Sequence, residues 1–223
     1  VVSKETYVVA SIPDWSIRNF DKLKKLGGEW YLIADKDDFT FHHLKMIKPR
    51  YIFIPHWSWL IPEEIYSKYE CVIFHMTDLP FGRGGTPLQN LLSRGIYETQ
   101  ISAIRAAKGI DTGDIYLKRA LSLEGDAEGI YIRCFDIITD MIKEIIEANP
   151  APTPQEGKAV VFKRRTPEQS RIEKCALPEL YDHIRMLDAD GYPRAFLEYK
   201  GFRLEFSRAS LKDGYIMADV RII

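Results

Sequence analysis

Cysteine is scarce in this chain. Cys71, Cys134 and Cys175 are three in 223 residues, an odd number set far apart, which excludes a disulfide framework and any zinc-ligand spacing. Buried thiols in a reducing cytoplasm are the expectation. No apolar run approaches the roughly 18 residues that span a bilayer, and no secretory signal is recognisable, so no membrane partner is expected. Charge of one sign is also lacking: 31 Lys and Arg face 32 Asp and Glu, for a net charge of −1. No global field gathers a polyanion, so an anionic ligand requires a local basic patch. Neither the glycine fingerprint of dinucleotide sites nor the Lys-Ser/Thr ending of a Walker loop occurs. There are no internal repeats and no low-complexity segments. His42, His43, His56 and His75 invite a metal-hydrolase reading, but the adjacent pair faces apart on either a helix or a strand, and no metal is expected.

What is present is a core-forming chain with 46% apolar and 28% charged residues. Apolar strands at Tyr7–Ile12, Trp30–Ala34, Tyr51–Pro55 and Cys71–Met76 alternate with helices at Trp15–Leu26, Phe39–Ile47 and Pro62–Tyr69. Strands apolar on both faces and separated by helices predict an α/β fold, an open, mostly parallel, Rossmann-like sheet covered on both sides. Gln100–Ala106 extends this sheet, Ile115–Leu123 adds a strand, and Asp126–Ala148 carries a helical apolar stripe. Three prolines and a glycine between Asn149 and Gly157 break the pattern and mark a linker. This divides the chain into a catalytic domain, 1–150, and a small C-terminal α+β subdomain, 158–223. The subdomain is read as a strand at Ala159–Lys163, a helix at Pro178–Asp188, a hairpin of Ala195–Tyr199 with Phe202–Phe206, and a last strand at Tyr215–Ile223. The exposed hairpin edge suits a homodimer.

The stretch from Cys71 to Asp114 is the richest in chemistry. Cys71, Ile73 and His75 share one strand face, and His75 stands at the carboxyl end, where open α/β sheets bind ligands. A histidine there can act as a general base, or simply cap the strand. A glycine-rich loop, Leu79–Pro87, follows; Gly82, Gly84 and Gly85 let the backbone approach a ligand around Arg83, and Thr86-Pro87 opens a helix. Gly109-Ile-Asp-Thr-Gly-Asp114 is a tight turn whose Asp111 can orient His75, or bond its own backbone as turn aspartates do. A base on a strand end, an acid on a turn and a flexible glycine loop are the parts of an acyl-transfer site.

Together His75-Met-Thr-Asp-Leu-Pro80, Gly82-Arg-Gly-Gly-Thr-Pro87 and Gly109-Ile-Asp-Thr-Gly-Asp114 resemble the folate-dependent formyltransferases. The match covers most of residues 50–125, with Pro55–Glu64 included. Phe162-Lys-Arg-Arg-Thr-Pro-Glu168 and Gly191-Tyr-Pro-Arg-Ala-Phe196 are similar to stretches of the sugar-nucleotide N-formyltransferases in that family. The resemblance implies a formyltransferase fold and transfer of a formyl group from N10-formyltetrahydrofolate to the amine of a UDP- or dTDP-linked amino-dideoxy sugar, in a glycan or pseudaminic-acid-type pathway. It implies His75 as base and Asp111 as its partner, with the pterin against Ile104, Ala106, Lys108, Ile110 and Asp111. Arg83, Gly84, Gly85, Thr86, Lys163, Arg164 and Arg165 would receive the nucleotide phosphates, and Tyr192 and Phe196 would stack on its base. The tail is read as too short and too little basic for tRNA, so no nucleic-acid partner is expected.

One position departs from the family pattern. Its asparagine two residues before the histidine is Ile73 here, which donates nothing. Losing an oxyanion donor costs roughly 2.7–4 kcal/mol of barrier, so a replacement is expected: His56 first, with Ser58, Asn90 or a backbone N–H as alternatives.

Overall fold

Runs such as Tyr-Val-Val-Ala, Tyr-Ile-Phe-Ile and Cys-Val-Ile-Phe hold no charge and many β-branched or aromatic side chains, which suits strands covered on both faces. In the computed structural model, which describes residues 5–12 and 20–223, they form β1 (Thr6–Ser11), β3 (Tyr51–His56) and β4 (Glu70–His75). With β2 (Glu29–Ile33), β6 (Glu98–Arg105) and β7 (Ile115–Ser122) they build a six-stranded sheet in the order β2-β1-β3-β4-β6-β7. β1 is parallel to β2 and β3, and β3 to β4, whereas β6 runs antiparallel to β4. The mostly parallel α/β sheet read from the sequence is therefore present, with one reversed strand.

Contacts divide the chain into two units. The first comprises Val1–Arg83, Gln100–Leu121 and Ile132–Val161. Its helices include α1 (Phe20–Lys24), α2 (Phe41–Ile47) and the single turn α3 (Glu63–Tyr66). Of the expected helix Trp15–Leu26, residues 15–19 lie outside the described residues. Thr40 caps α2 by accepting the His43 N–H at 3.2 Å, and Lys48 ends it in the left-handed region. Val8, Ala10, Ile52, Ile54, Leu44 and Ile65 form the centre of an apolar cluster in which each large aliphatic side chain contributes roughly 1.5–3 kcal/mol by leaving water. Ile73 and Trp57 pack on its margin.

The second unit comprises Gly84–Thr99, Ser122–Tyr131 and Phe162–Ile223. It contains α4 (Pro87–Leu92), α6 (Leu177–Arg185) and an antiparallel sheet of β9 (Ala195–Tyr199), β10 (Phe202–Lys212) and β11 (Tyr215–Ile222), with β10 central. The turn at Lys200-Gly201, both with positive φ, closes the expected hairpin. A buried ion pair, Arg185 with Asp182 at 2.7 Å, is extended by Arg185 donating to the Leu123 and Gly125 carbonyls. Such pairs are tolerated when every remaining polar group finds a partner.

The long helix α5 (Ala127–Ala148) buries Ile130, Cys134, Phe135, Ile138, Met141, Ile142 and Ile145, the three- and four-residue spacing of one helical face. Cys71 and Cys134 are buried, and burial pushes both thiols up to about 12. Cys175 is exposed, against the expectation of three buried thiols. Among the described residues no helix is long and apolar enough to cross a membrane.

One expectation is corrected here. The glycine-rich stretch is not a flexible loop: Phe81–Gly84 forms β5, paired with β8 (Val160–Phe162). A Cβ on Gly84 would lie 2.4 Å from the Phe162 carbonyl oxygen, and one on Gly85 2.8 Å from the Arg164 Cβ. These glycines admit the 162–164 segment rather than a ligand.

Candidate active site

His75 ends β4 and is buried. Its Nε2 is 2.8 Å from the carbonyl oxygen of Gly82. A carbonyl only accepts, so Nε2 carries the proton, and in the neutral ring the lone pair lies on Nδ1. That Nδ1 faces Asp111 Oδ2 at 3.5 Å, with the two side chains 9% and 13% exposed. A proton reaching Nδ1 would meet a carboxylate in a site where little water screens the pair. His75 and Asp111, 36 positions apart in the chain, thus lie side by side, as the sequence suggested. The backbone-cap reading of His75 is also realised, through its other nitrogen.

The turn bearing Asp111 is built by backbone constraints. Gly109 has φ 105° and Asp111 itself φ 53°, a region that aspartate tolerates better than most residues. A Cβ on Gly113 would fall 1.7 Å from the carbonyl oxygen of Arg105, so only glycine fits. Thr112 Oγ1 donates to the Lys108 carbonyl at 2.9 Å, and the Arg105 N–H to that of Asp114 at 2.8 Å.

Gln155, to which the sequence assigned no role, holds this turn. Its Nε2 donates to the carbonyls of Asp111 (2.9 Å) and Gly113 (2.8 Å), while its Oε1 accepts from Arg83 Nε (3.1 Å) and Nη2 (2.7 Å). The partners lie 42 to 72 positions away, and two of them are backbone carbonyls. No spacing or residue pattern announces such a contact. Arg83, expected to grip a phosphate, has this guanidinium edge engaged by Gln155.

The remaining candidates of this unit are dispersed around the pair. Ile54 and Ile73 are register partners on β3 and β4; two residues on, the strands end at His56 and His75, with neighbouring strands ~4.8 Å apart. His56 is half-buried. Ile104 pairs with Ile73 inside the sheet, and the Ala106 N–H donates to the Cys71 carbonyl at 2.8 Å. Lys108 and Ile110 are exposed on the turn, Ile110 by 59% despite its apolar side chain.

In the other unit, Thr86 precedes α4 with φ 48° and accepts from the Arg165 N–H at 3.1 Å. Asn90 Nδ2 lies 3.0–3.1 Å from the carbonyls of Gly85, Thr86 and Lys163, and is engaged there rather than offered as an oxyanion donor. Lys163 and Arg164 are exposed, whereas Arg165 is half-buried, donates to the Gln169 carbonyl at 2.6 Å, and is held below the usual guanidinium range by burial. Tyr192 stacks on Tyr131 and accepts its hydroxyl proton at 2.8 Å. Phe196 is buried with the Arg203 guanidinium 3.5 Å and that of Arg171 5.6 Å from its ring centre, so it presents no face to a base.

A family model, that of the methionyl-tRNA formyltransferase C-terminal domain, matches residues 167–223. A solved structure of a methionyl-tRNA formyltransferase from Clostridium thermocellum is 54% identical, with a TM-score of 0.96, over 98% of this chain and 99% of that one. A curated methionyl-tRNA formyltransferase of Carboxydothermus hydrogenoformans is 25% identical over 77% of this chain; the chain spans 58% of that protein's length. HypX from Aquifex aeolicus, solved in complex with tetrahydrofolic acid, shares the fold at 18% identity and a TM-score of 0.76, over 93% of this chain and 38% of that one.

These findings overturn the acceptor expected from the sequence. Sugar N-formyltransferases resemble this chain in fold alone, at 13–14% identity and TM-scores of 0.70–0.71. The nucleotide-linked sugar, the UDP or dTDP moiety, the pseudaminic-acid-type glycan setting and the exclusion of nucleic acid are therefore withdrawn. The physical reason agrees: Phe196 is buried beside two guanidinium groups, Arg83 is bonded to Gln155, and the tail judged too short for tRNA is the segment matched by the methionyl-tRNA formyltransferase model.

Proposed function

The chain belongs to the formyltransferase family, and from that premise we propose that it formylates the amino group of methionyl-tRNA using N10-formyltetrahydrofolate. The observation that carries the reading is the buried His75–Asp111 pair at the end of a central strand, in a chain 54% identical to a methionyl-tRNA formyltransferase. The exposed apolar side chain of Ile110, which directly precedes Asp111 in the chain, fits a flat heterocycle with a polar rim.

N10-formyltetrahydrofolate supplies the formyl group and departs as tetrahydrofolate. His75 takes the proton of the attacking amine at Nδ1, directly or through water, and returns it to the departing nitrogen. Asp111 stabilises the imidazolium between those two transfers. His56 meets the negative charge that grows on the formyl oxygen, in the place of the asparagine replaced by Ile73. Ile104, Ala106, Lys108, Ile110 and Asp111 border the pterin, with Lys108–Ile110 offering its backbone. Lys163 and Arg164, both exposed, contact phosphates of the tRNA.

The test incubates the purified protein with N10-formyltetrahydrofolate and methionyl-tRNA, then reads the released amino acid by mass. Formylmethionine is expected, with His75→Ala slower by about 10²–10⁴-fold. Absence of formylmethionine with the wild-type protein, or an undiminished rate in His75→Ala, would overturn the reading.

A further inference from the structure

Gln155 sits in the irregular segment between α5 and β8, flanked by exposed residues, yet it is half-buried. The segment is fastened on both sides of it. Thr153 and Ile115 exchange backbone hydrogen bonds at 2.7 and 2.9 Å, and the Val160 N–H donates to the Pro80 carbonyl at 3.1 Å. Between these anchors the amide of Gln155 uses both its oxygen and its nitrogen, the oxygen toward Arg83 and the nitrogen toward the Asp111 turn. Only a side chain that both donates and accepts can join a guanidinium to two carbonyls.

These contacts close a ring. His75 Nε2 donates to Gly82, whose neighbour Arg83 donates to Gln155; Gln155 donates to the Asp111 carbonyl, and the Asp111 carboxylate faces His75 Nδ1. Both ring nitrogens of His75 are thereby set by segments that one amide ties together. Asp111 also occupies a left-handed conformation, which persists only where the surroundings impose it. We propose that Gln155 is a positioning residue: its amide holds the Asp111 turn against His75 and couples that turn to β5 through Arg83.

The inference rests on His75 and Asp111 being the reacting pair, but its test does not require turnover. Asp111 on the turn is the charged side chain that faces Nδ1, and Gln155 holds both that turn and Arg83 on β5. Two variants separate the halves of the clamp. Gln155→Glu keeps the acceptor for Arg83 and replaces the donor by an oxygen that repels the Asp111 and Gly113 carbonyls, whereas Gln155→Ala removes both. The Nδ1 and Nε2 signals of His75 are followed by nitrogen NMR at fixed pH in each variant, and kcat and KM are measured with the formyl donor. In both variants the His75 ring-nitrogen signals are expected to shift and broaden, because the turn carrying Asp111 is no longer held at Nδ1. The expected loss in kcat is about 10- to 100-fold, with KM for the donor changed by no more than about twofold. Unmoved His75 ring-nitrogen signals in either variant, with circular dichroism confirming the fold, would overturn the inference. Should the wild-type protein not formylate methionyl-tRNA, the His75 ring-nitrogen signals still decide the role of Gln155, while the functional reading alone falls.

Discussion

A methyl group on Gly113 would stand 1.7 Å from the carbonyl oxygen of Arg105, the last residue of β6. The obstacle is backbone held by the Arg105–Asp114 hydrogen bond rather than a side chain that can swing away. Accommodating the methyl requires moving the turn, and with it Asp111. Gly113→Ala is therefore expected to cost about 3 kcal/mol, the upper end of overpacking penalties. A shift of the urea midpoint at unchanged slope checks this, and retention of the wild-type midpoint would mean that the turn yields freely.

Burial lowers the pKa of His183, opposed by the hydrogen bond of Nε2 to the Ser170 carbonyl at 3.1 Å and by Glu173, with Arg165 acting in the same direction as burial. The unfolded chain takes up this proton near the ordinary value of about 6.5, and the folded chain only at lower pH. Stability from this group is thus fully present above about pH 6.5 and is lost as pH falls toward the folded value. His183→Gln is expected to flatten that part of the curve. Urea unfolding at a series of pH values from 5 to 8 provides the comparison, and parallel curves for the two proteins would show that His183 does not contribute.

The α/β sheet was readable because uncharged β-branched runs and helical stripes are local signals, and β1, β3, β4 and α5 lie within a residue of their expected bounds. The pair His75–Asp111 was readable because strand alternation and a glycine-framed turn also leave local traces. Three features were not. β5 hides in a glycine-rich stretch because Gly84 and Gly85 are dictated by a chain segment nearly 80 residues away, and glycine count cannot distinguish packing backbone from approaching ligand. Gln155 acts on carbonyls, which every residue possesses. Phe196 looked available for stacking, since the two arginines covering it come from different segments, at 171 and 203.

Ile73 and His56 pose a coupled question, since they lie on adjacent strands near His75. If His56 supplies the donor for the formyl oxygen, His56→Ala lowers kcat by about 10²–10³-fold. Ile73→Asn alone places an amide at the edge of the apolar cluster and is expected to destabilise the protein by roughly 1–3 kcal/mol. In the His56→Ala background the same substitution is expected to recover part of the lost rate, because it returns a donor to the strand face shared with His75. Steady-state rates of the four proteins form a double-mutant cycle. A wild-type kcat in His56→Ala would remove His56 from the mechanism, and additive losses with no recovery would show that position 73 cannot supply the donor.

Lys163 and Arg164 are exposed and follow a strand end, where two adjacent cations can meet successive phosphates. A chain with net charge −1 has no long-range attraction for tRNA, so under the proposed function local contacts would supply the electrostatic affinity. Each phosphate contact releases counterions and steepens the salt dependence of binding by about one unit of slope in log K against log salt. Replacing both residues by alanine is therefore expected to weaken binding of methionyl-tRNA and to reduce that slope by about two, while the KM for N10-formyltetrahydrofolate stays near its wild-type value. Filter binding across a salt series measures both quantities. An unchanged slope would place the tRNA on a different face of the protein and leave these two cations as solvated surface charge.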